Sequence, residues 1–246
     1  NDGTNLYLRF SWKDAAGGLA VDLVDDGVAE LQAKLRDGRL WLVAPGLPLI
    51  TDPNAYERSF SIVVADRTEA QTEADLRRAL WSFARAGNLI RLAGVAENAG
   101  VDQGQIEIVL ERLRETDPVR LADPRRSCGE IARPTPNETI DSVSPAAVSH
   151  CDQIRLSIAN RGERDYDIGV FFLDPVGAIS VPVRDWRQNG CVGALPAKSP
   201  RPLVLRTTVR TWTDKGPSHA GQHRILVFAL PRVGSMPPGL CHLLQP

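Results

Sequence analysis

Residue types able to do chemistry are scarce. The 246-residue chain has four histidines, His150, His219, His223 and His242, and four cysteines, Cys128, Cys151, Cys191 and Cys241, all in its second half. A nucleophilic site needs a Ser or Cys within hydrogen-bond reach of a base that a third group orients. His150 and Cys151 adjoin, but neighbours on a strand point to opposite faces, which separates them as a dyad. His219 and His223 have the i, i+4 spacing that holds zinc on a helix, yet Gly216, Pro217 and Gly221 oppose a helix there and no Glu adjoins His219. An exposed loop is expected instead. Asp25-Asp26 with Asp165 and Asp167 come nearest to an acid–base carboxylate pair, but both sets stand among turn formers and read as solvated turn acids. No G-x-S-x-G, Walker loop or G-x-G-x-x-G follows a strand, so hydrolase, nucleotide and dinucleotide chemistry lack their anchor. The expectation is a chain with no catalytic residues, no metal site and no cofactor of its own.

The cysteines lie 23, 40 and 50 residues apart, whereas zinc sites usually draw ligand pairs from tight C-x-x-C or H-x-x-x-H knuckles. An even count without metal spacing points to two bridges, most simply Cys128–Cys151 and Cys191–Cys241, although four cysteines allow three connectivities. Buried free thiols are the alternative. Bridges imply a periplasmic or extracellular location in a bacterium, and free thiols a cytoplasmic one. Binding has better candidates than catalysis. Trp186 and Arg187 stand in a polar, turn-forming stretch, Asp185 to Cys191, and with Tyr166 they are the expected contact residues, the other reading of Trp186 being a plug at the end of a sandwich.

Composition sets the frame for these residues. Hydrophobic residues make up 43% and charged residues 24%, as in a folded globular chain, and the length fits two domains. Residues 1–112 carry 12 Lys+Arg against 17 Asp+Glu and the remainder 17 against 13, but no Lys/Arg run gives a nucleic-acid footprint. No stretch approaches the roughly 18 to 20 apolar residues of a membrane span, and no signal peptide opens the chain. A start at Asn1 is read as the loss of something upstream.

The elements that would carry these residues follow from periodicity. Leu6, Leu8, Phe10 and Trp12 alternate as in a strand, and Asp37-Gly38 is a hairpin signal between Ala33–Leu35 and Leu40–Val43. Phe60–Ala65 is a further strand. Thr72 and Asp75 resemble a capping box, and Leu76, Leu80 and Phe83 predict a helix over 72–86 that ends near Gly87-Asn88. Gln105–Leu110 reads as the strand that closes an α+β domain at 1–112, an antiparallel sheet with one main helix. A Pro-rich linker at 113–150, pinned by Cys128, then leads to an all-β, immunoglobulin-like sandwich at 151–246. In it Ile154, Leu156 and Ile158 alternate, Ile168–Leu173 is a buried strand, and Asp174-Pro175-Val176-Gly177 is a turn.

Three runs carry a family resemblance: the strand Asp152–Asn160, the stretch Val170-Phe171-Phe172-Leu173-Asp174-Pro175-Val176-Gly177, and Gly221 to Ala229. Together they resemble a β-rich region that follows the peptidase domain in bacterial caspase-family, metacaspase-like proteins, and residues 1–112 are similar to the segment that precedes that module. The resemblance implies the non-catalytic C-terminal region of such a protease. The family's His and Cys dyad lies on a separate upstream α/β domain that no segment here matches, so no catalytic residue carries over. The expected partner is a protein or peptide, in particular an upstream caspase-like catalytic domain, with no nucleic acid and no membrane span. The other class is an independent secreted module for a peptide or glycan, and an enzyme of unrecognised type comes third.

Overall fold

A computed structural model describes residues 5–12, 19–52, 59–98, 105–116, 118, 128, 138–140, 146–183, 186, 190–210, 212–213, 216–217, 223–232, 234 and 239–244. Strands β1 (Asn5–Trp12), β2 (Leu19–Leu23), β3 (Leu31–Arg36), β4 (Arg39–Val43) and β5 (Phe60–Val63) form one antiparallel sheet in the order β2-β1-β3-β4-β5. Alternation turns Leu8, Phe10, Leu31, Ala33, Leu42 and Ile62 into a single buried cluster. The expected hairpin is present. Arg36 pairs with Arg39, and Asp37 and Gly38 take φ of 52° and 67°, the two positive values that a two-residue turn of the strand-matching hand requires.

Helix α1 (Glu69–Asn98) is twice the expected length and starts a turn earlier. Thr68 Oγ1 accepts from the Gln71 amide at 3.3 Å while Gln71 Oε1 accepts from the Thr68 amide at 3.3 Å, so the capping box is Thr68/Gln71 and not Thr72/Asp75. The helix also runs through Gly87 and Asn88. A glycine inside a helix costs about 1 kcal/mol relative to alanine, and burial on a second surface offsets it. Leu76, Ala79, Leu80, Phe83 and Ala84 pack on the first sheet, whereas Ala86, Leu89, Ile90 and Ala93 pack into a different core. At 3.6 residues per turn the two apolar sets are rotated by roughly a quarter turn about the helix axis. One helix therefore serves two cores with two faces, and the periodicity that marks 72–86 lapses where the face changes.

The second core lies between two further antiparallel sheets. Strands β6 (Ile106–Leu113), β7 (Glu138–Ile140), β8 (Gln153–Asn160) and β12 (Leu203–Thr208) are ordered β12-β8-β6-β7. Strand β9 (Tyr166–Leu173) pairs along its whole length with β15 (Arg224–Pro231) and along its other edge with β10 (Ile179–Ser180) and β11 (Gly193–Leu195). The strand expected to close the first sheet, β6, pairs instead with β8, from Ile106↔Asn160 to Leu113↔Gln153. Its partner was not visible locally, because any strand of suitable pattern satisfies a sheet edge. A two-residue pair, β13 (Trp212–Thr213) with β14 (Gly216–Pro217), completes the strands described. The architecture is thus α+β: antiparallel sheets with one α-helix among the described residues.

Burial explains why β9 holds this part together. Ile168, Val170 and Phe171 are fully buried, so both of its faces are covered, and each such side chain contributes about 1.5–3 kcal/mol over an exposed one. Phe171 meets Phe228 of β15 edge to face at 5.8 Å. The turn after β9 docks on α1: a Cβ on Gly177, which has φ 79°, would stand 2.9 Å from the backbone of Ser82 and Phe83. Glycine at this turn lets the second core reach the helix of the first.

Candidate functional site

Two places on the molecule collect polar side chains in a way the packing does not demand. The first is the face of α1 turned away from the first sheet. Residues four apart line up along a helix, and Glu73, Arg77, Trp81 and Arg85 form such a row, flanked by Arg78 and Ser82. They line a groove of about 500 Å³, within the size of ordinary ligand clefts. Arg77 holds Glu73 at 2.6 Å and Arg78 reaches Asp75 at 3.5 Å, both exposed pairs of little energetic weight. Arg85 is half-buried, and desolvation lowers its pKa below the ordinary arginine value. The i, i+4 row was legible in the sequence, but a search for catalytic residue types passes over it.

The second place is the turn before β8. Cys128 and Cys151 are bonded, as are Cys191 and Cys241, the simplest pairing of the four. His150 Nε2 stands 3.7 Å from Cys128 Sγ. The argument that His150 and Cys151 must diverge fails because they occupy a turn and not a strand: Cys151 has φ 66°, and alternation does not apply there. One potential ligand atom from each of Cys128, His150 and Cys151 lies within 4.8 Å of the others. The spacing rule looked for knuckles and so missed a set assembled from a remote cysteine and two adjacent residues.

Asp152 holds this turn in shape. Its buried carboxylate accepts from the Ser149 amide at 2.8 Å, the Glu115 amide at 3.0 Å and Arg112 Nε at 2.9 Å. Arg112 also donates to the Ala147 carbonyl. The Cys151 amide donates to Val209 and the Val209 amide returns to Asp152, each at 2.8 Å. Three strands thus fix the backbone that carries His150 and Cys151. The arrangement holds two bonded sulfurs and an imidazole together.

The other sequence candidates are scattered. Trp186 and Tyr166 are buried in the second core, and Trp186 packs against Gly193, so as placed they hold the core and present no ring to a partner. Arg187 lies outside the described residues, as does His219. Asp167 is buried against Arg232 at 2.9 Å, Asp165 is exposed and accepts from the Ala197 amide at 2.7 Å, and Asp26 opens a short 3-10 turn after β2. Asp165 and Asp167 thus have structural partners at the start of β9, and Asp26 lies on a different element. His223, at the foot of β15, has a pKa lowered by desolvation, against an opposing pull from Asp174. No helix among the described residues is long and apolar enough to cross a membrane. No protein-family model matches the chain, and no curated protein or solved structure matches it.

Proposed function

We propose that the chain is a non-catalytic, regulatory region of a bacterial caspase-like cysteine protease that works by binding an acidic stretch of polypeptide along the outward face of α1. The observation that carries the reading is the row Arg77, Trp81 and Arg85 with Arg78 beside it, lining one groove. Arginine and tryptophan are the residue types that most often anchor protein contacts, and a guanidinium matches a carboxylate with two parallel hydrogen bonds. The groove carries three arginines against Glu73, so charge complementarity favours an acidic occupant. The two sheets around the second core support an immunoglobulin-like sandwich as the scaffold. The resemblance in β8 and β9 makes the upstream catalytic domain the first partner to test.

The cysteine pairs favour a second reading, an independent periplasmic or extracellular module for a peptide or glycan, because disulfides persist in oxidising compartments. Both readings can be tested by titrating the chain with an Asp/Glu-rich peptide and with a neutral peptide of equal length. Binding of the acidic peptide is expected to weaken at least about tenfold, or about 1.4 kcal/mol, in Arg77→Glu/Arg78→Glu. Folding stability should change by no more than about 0.5 kcal/mol, since both side chains are exposed. Equal binding by the variant removes the groove. Capture of the upstream polypeptide by the unmodified chain favours the protease reading, and peptide or glycan binding without it favours the independent module.

A further inference from the structure

The geometry points to a redox-gated metal site: Cys128, Cys151 and His150 form a disulfide centre that a dithiol opens and that then holds a divalent cation of the zinc class. It rests on the cysteine turn alone and not on the groove of α1. Zinc bonds of about 2.3 Å to sulfur and 2.0–2.1 Å to nitrogen set tetrahedral ligands somewhat under 4 Å apart. The 3.7 Å between Cys128 Sγ and His150 Nε2 is already of that size. The two sulfurs must separate, which breaking their bond allows, and the three ligand atoms already lie within 4.8 Å of one another. The turn that carries two of the three ligands is fixed by Asp152 and by the bonds to Val209, so the ordering cost of those two is largely met before the ion arrives.

The chemistry balances as follows. A thiolate of the dithiol attacks Cys128, the less buried of the two sulfurs, the Cys128–Cys151 bond breaks, and Cys151 leaves as a thiolate. The second thiol of the reagent then attacks the reagent sulfur of the mixed disulfide, expels the Cys128 thiolate, and the reagent departs oxidised as a cyclic disulfide, its two electrons left on the Cys128 and Cys151 sulfurs. The expelled Cys128 sulfur lies beside the His150 ring, 3.7 Å from Nε2. The cation binds both thiolates, and the ring nitrogen of His150 supplies the third ligand, leaving a fourth position for water. In an oxidising compartment the centre is a staple. Moved to a reducing one, it becomes a cation site.

The test uses the full chain in graded redox buffers, with trapped thiols located by peptide mass mapping, followed by Co2+ as a spectroscopic probe after the reductant is removed. Cys128 and Cys151 should be trapped before Cys191 and Cys241, and the partly reduced protein should bind one Co2+ with a thiolate charge-transfer band. His150→Ala should weaken Co2+ by more than about 100-fold, since even residues that only orient a ligand count for about 10- to 100-fold. Far- and near-ultraviolet circular dichroism of the partly reduced, unsubstituted chain shows whether the fold persists. Opening of Cys191–Cys241 first, loss of the fold on opening Cys128–Cys151, or a folded reduced protein without the cobalt band would each overturn the proposal. Unchanged Co2+ affinity in a folded His150→Ala variant would do the same.

Discussion

Cys151 and Cys191 start from the same backbone and finish in opposite surroundings. Each is fully buried, each holds φ 66°, and each bonds a less buried cysteine. A non-glycine residue in that left-handed region costs on the order of 1–2 kcal/mol, so both turns are held by what surrounds them. Around Cys191 the surroundings are apolar: Trp186, Leu240 and the outer face of β9, with the Leu240 amide bonded to Gly190 at 2.8 Å. Around Cys151 they are charged and hydrogen-bonded: Asp152, Arg112 and, beside the partner sulfur, His150. The apolar pair clamps the chain end over a core. The polar pair sits where a sulfur can change charge, and the contrast shows that surroundings, not the bond itself, separate a staple from a reactive centre.

The largest effect that sharpens this contrast is expected on the apolar side. Trp186→Ala leaves a cavity beneath the Cys191–Cys241 strap and should cost about 3–5 kcal/mol in urea unfolding, as other buried aromatic truncations do. A cost under about 1 kcal/mol would mean that the bond, and not the packing, holds that end. Next comes Asp152→Ala, which takes the buried carboxylate from the nearly buried Arg112 guanidinium, leaving it Ala147 and the more distant Glu138, and frees the Ser149 and Glu115 amides. Breaking a buried pair by removing one partner costs about 3 kcal/mol or more. This variant should also let Cys128–Cys151 open in a weaker reducing buffer while Cys191–Cys241 is unaffected, and equal behaviour of both bonds would break the comparison.

The smallest effect concerns acid. The His223 pKa lies below the ordinary 6.5 because desolvation disfavours its charged form. A group whose folded pKa is lowered binds more protons when unfolded, so stability present above pH 6.5 is lost as the pH falls through 6.5 toward the folded value. A modest drop in Tm between pH 7 and pH 5 is expected, and His223→Gln should reduce it. An undiminished drop in that variant would move the acid sensitivity to another group.

Local chemistry made several parts of this molecule legible in advance. Two residues with positive φ, Asp37 and Gly38, announce a hairpin wherever they stand, and the alternation of Ile154, Leu156 and Ile158 announces a strand with one buried face. The cysteine count offered this pairing as the simplest of three connectivities, with free thiols as the alternative, and the structure has it. The rest depended on what meets what. α1 continues past Gly87 because a second core covers Ala86 and Leu89, and no window of sequence contains both cores. β6 faces β8 rather than β5 because a sheet edge selects its neighbour by tertiary position. Trp186, which reads as a surface anchor among Asp, Arg, Gln and Asn, is buried in the second core, where its ring lies against Gly193 of β11. His150 and Cys151 converge on Cys128 through a left-handed turn that Asp152 stabilises from inside the protein. The sequence by itself determined backbone conformations and apolar faces, which short-range sterics and periodicity govern. Only the tertiary structure decided which faces share a core and which sulfur lies beside an imidazole, because those choices are made by groups far apart in the chain competing for the same buried volume.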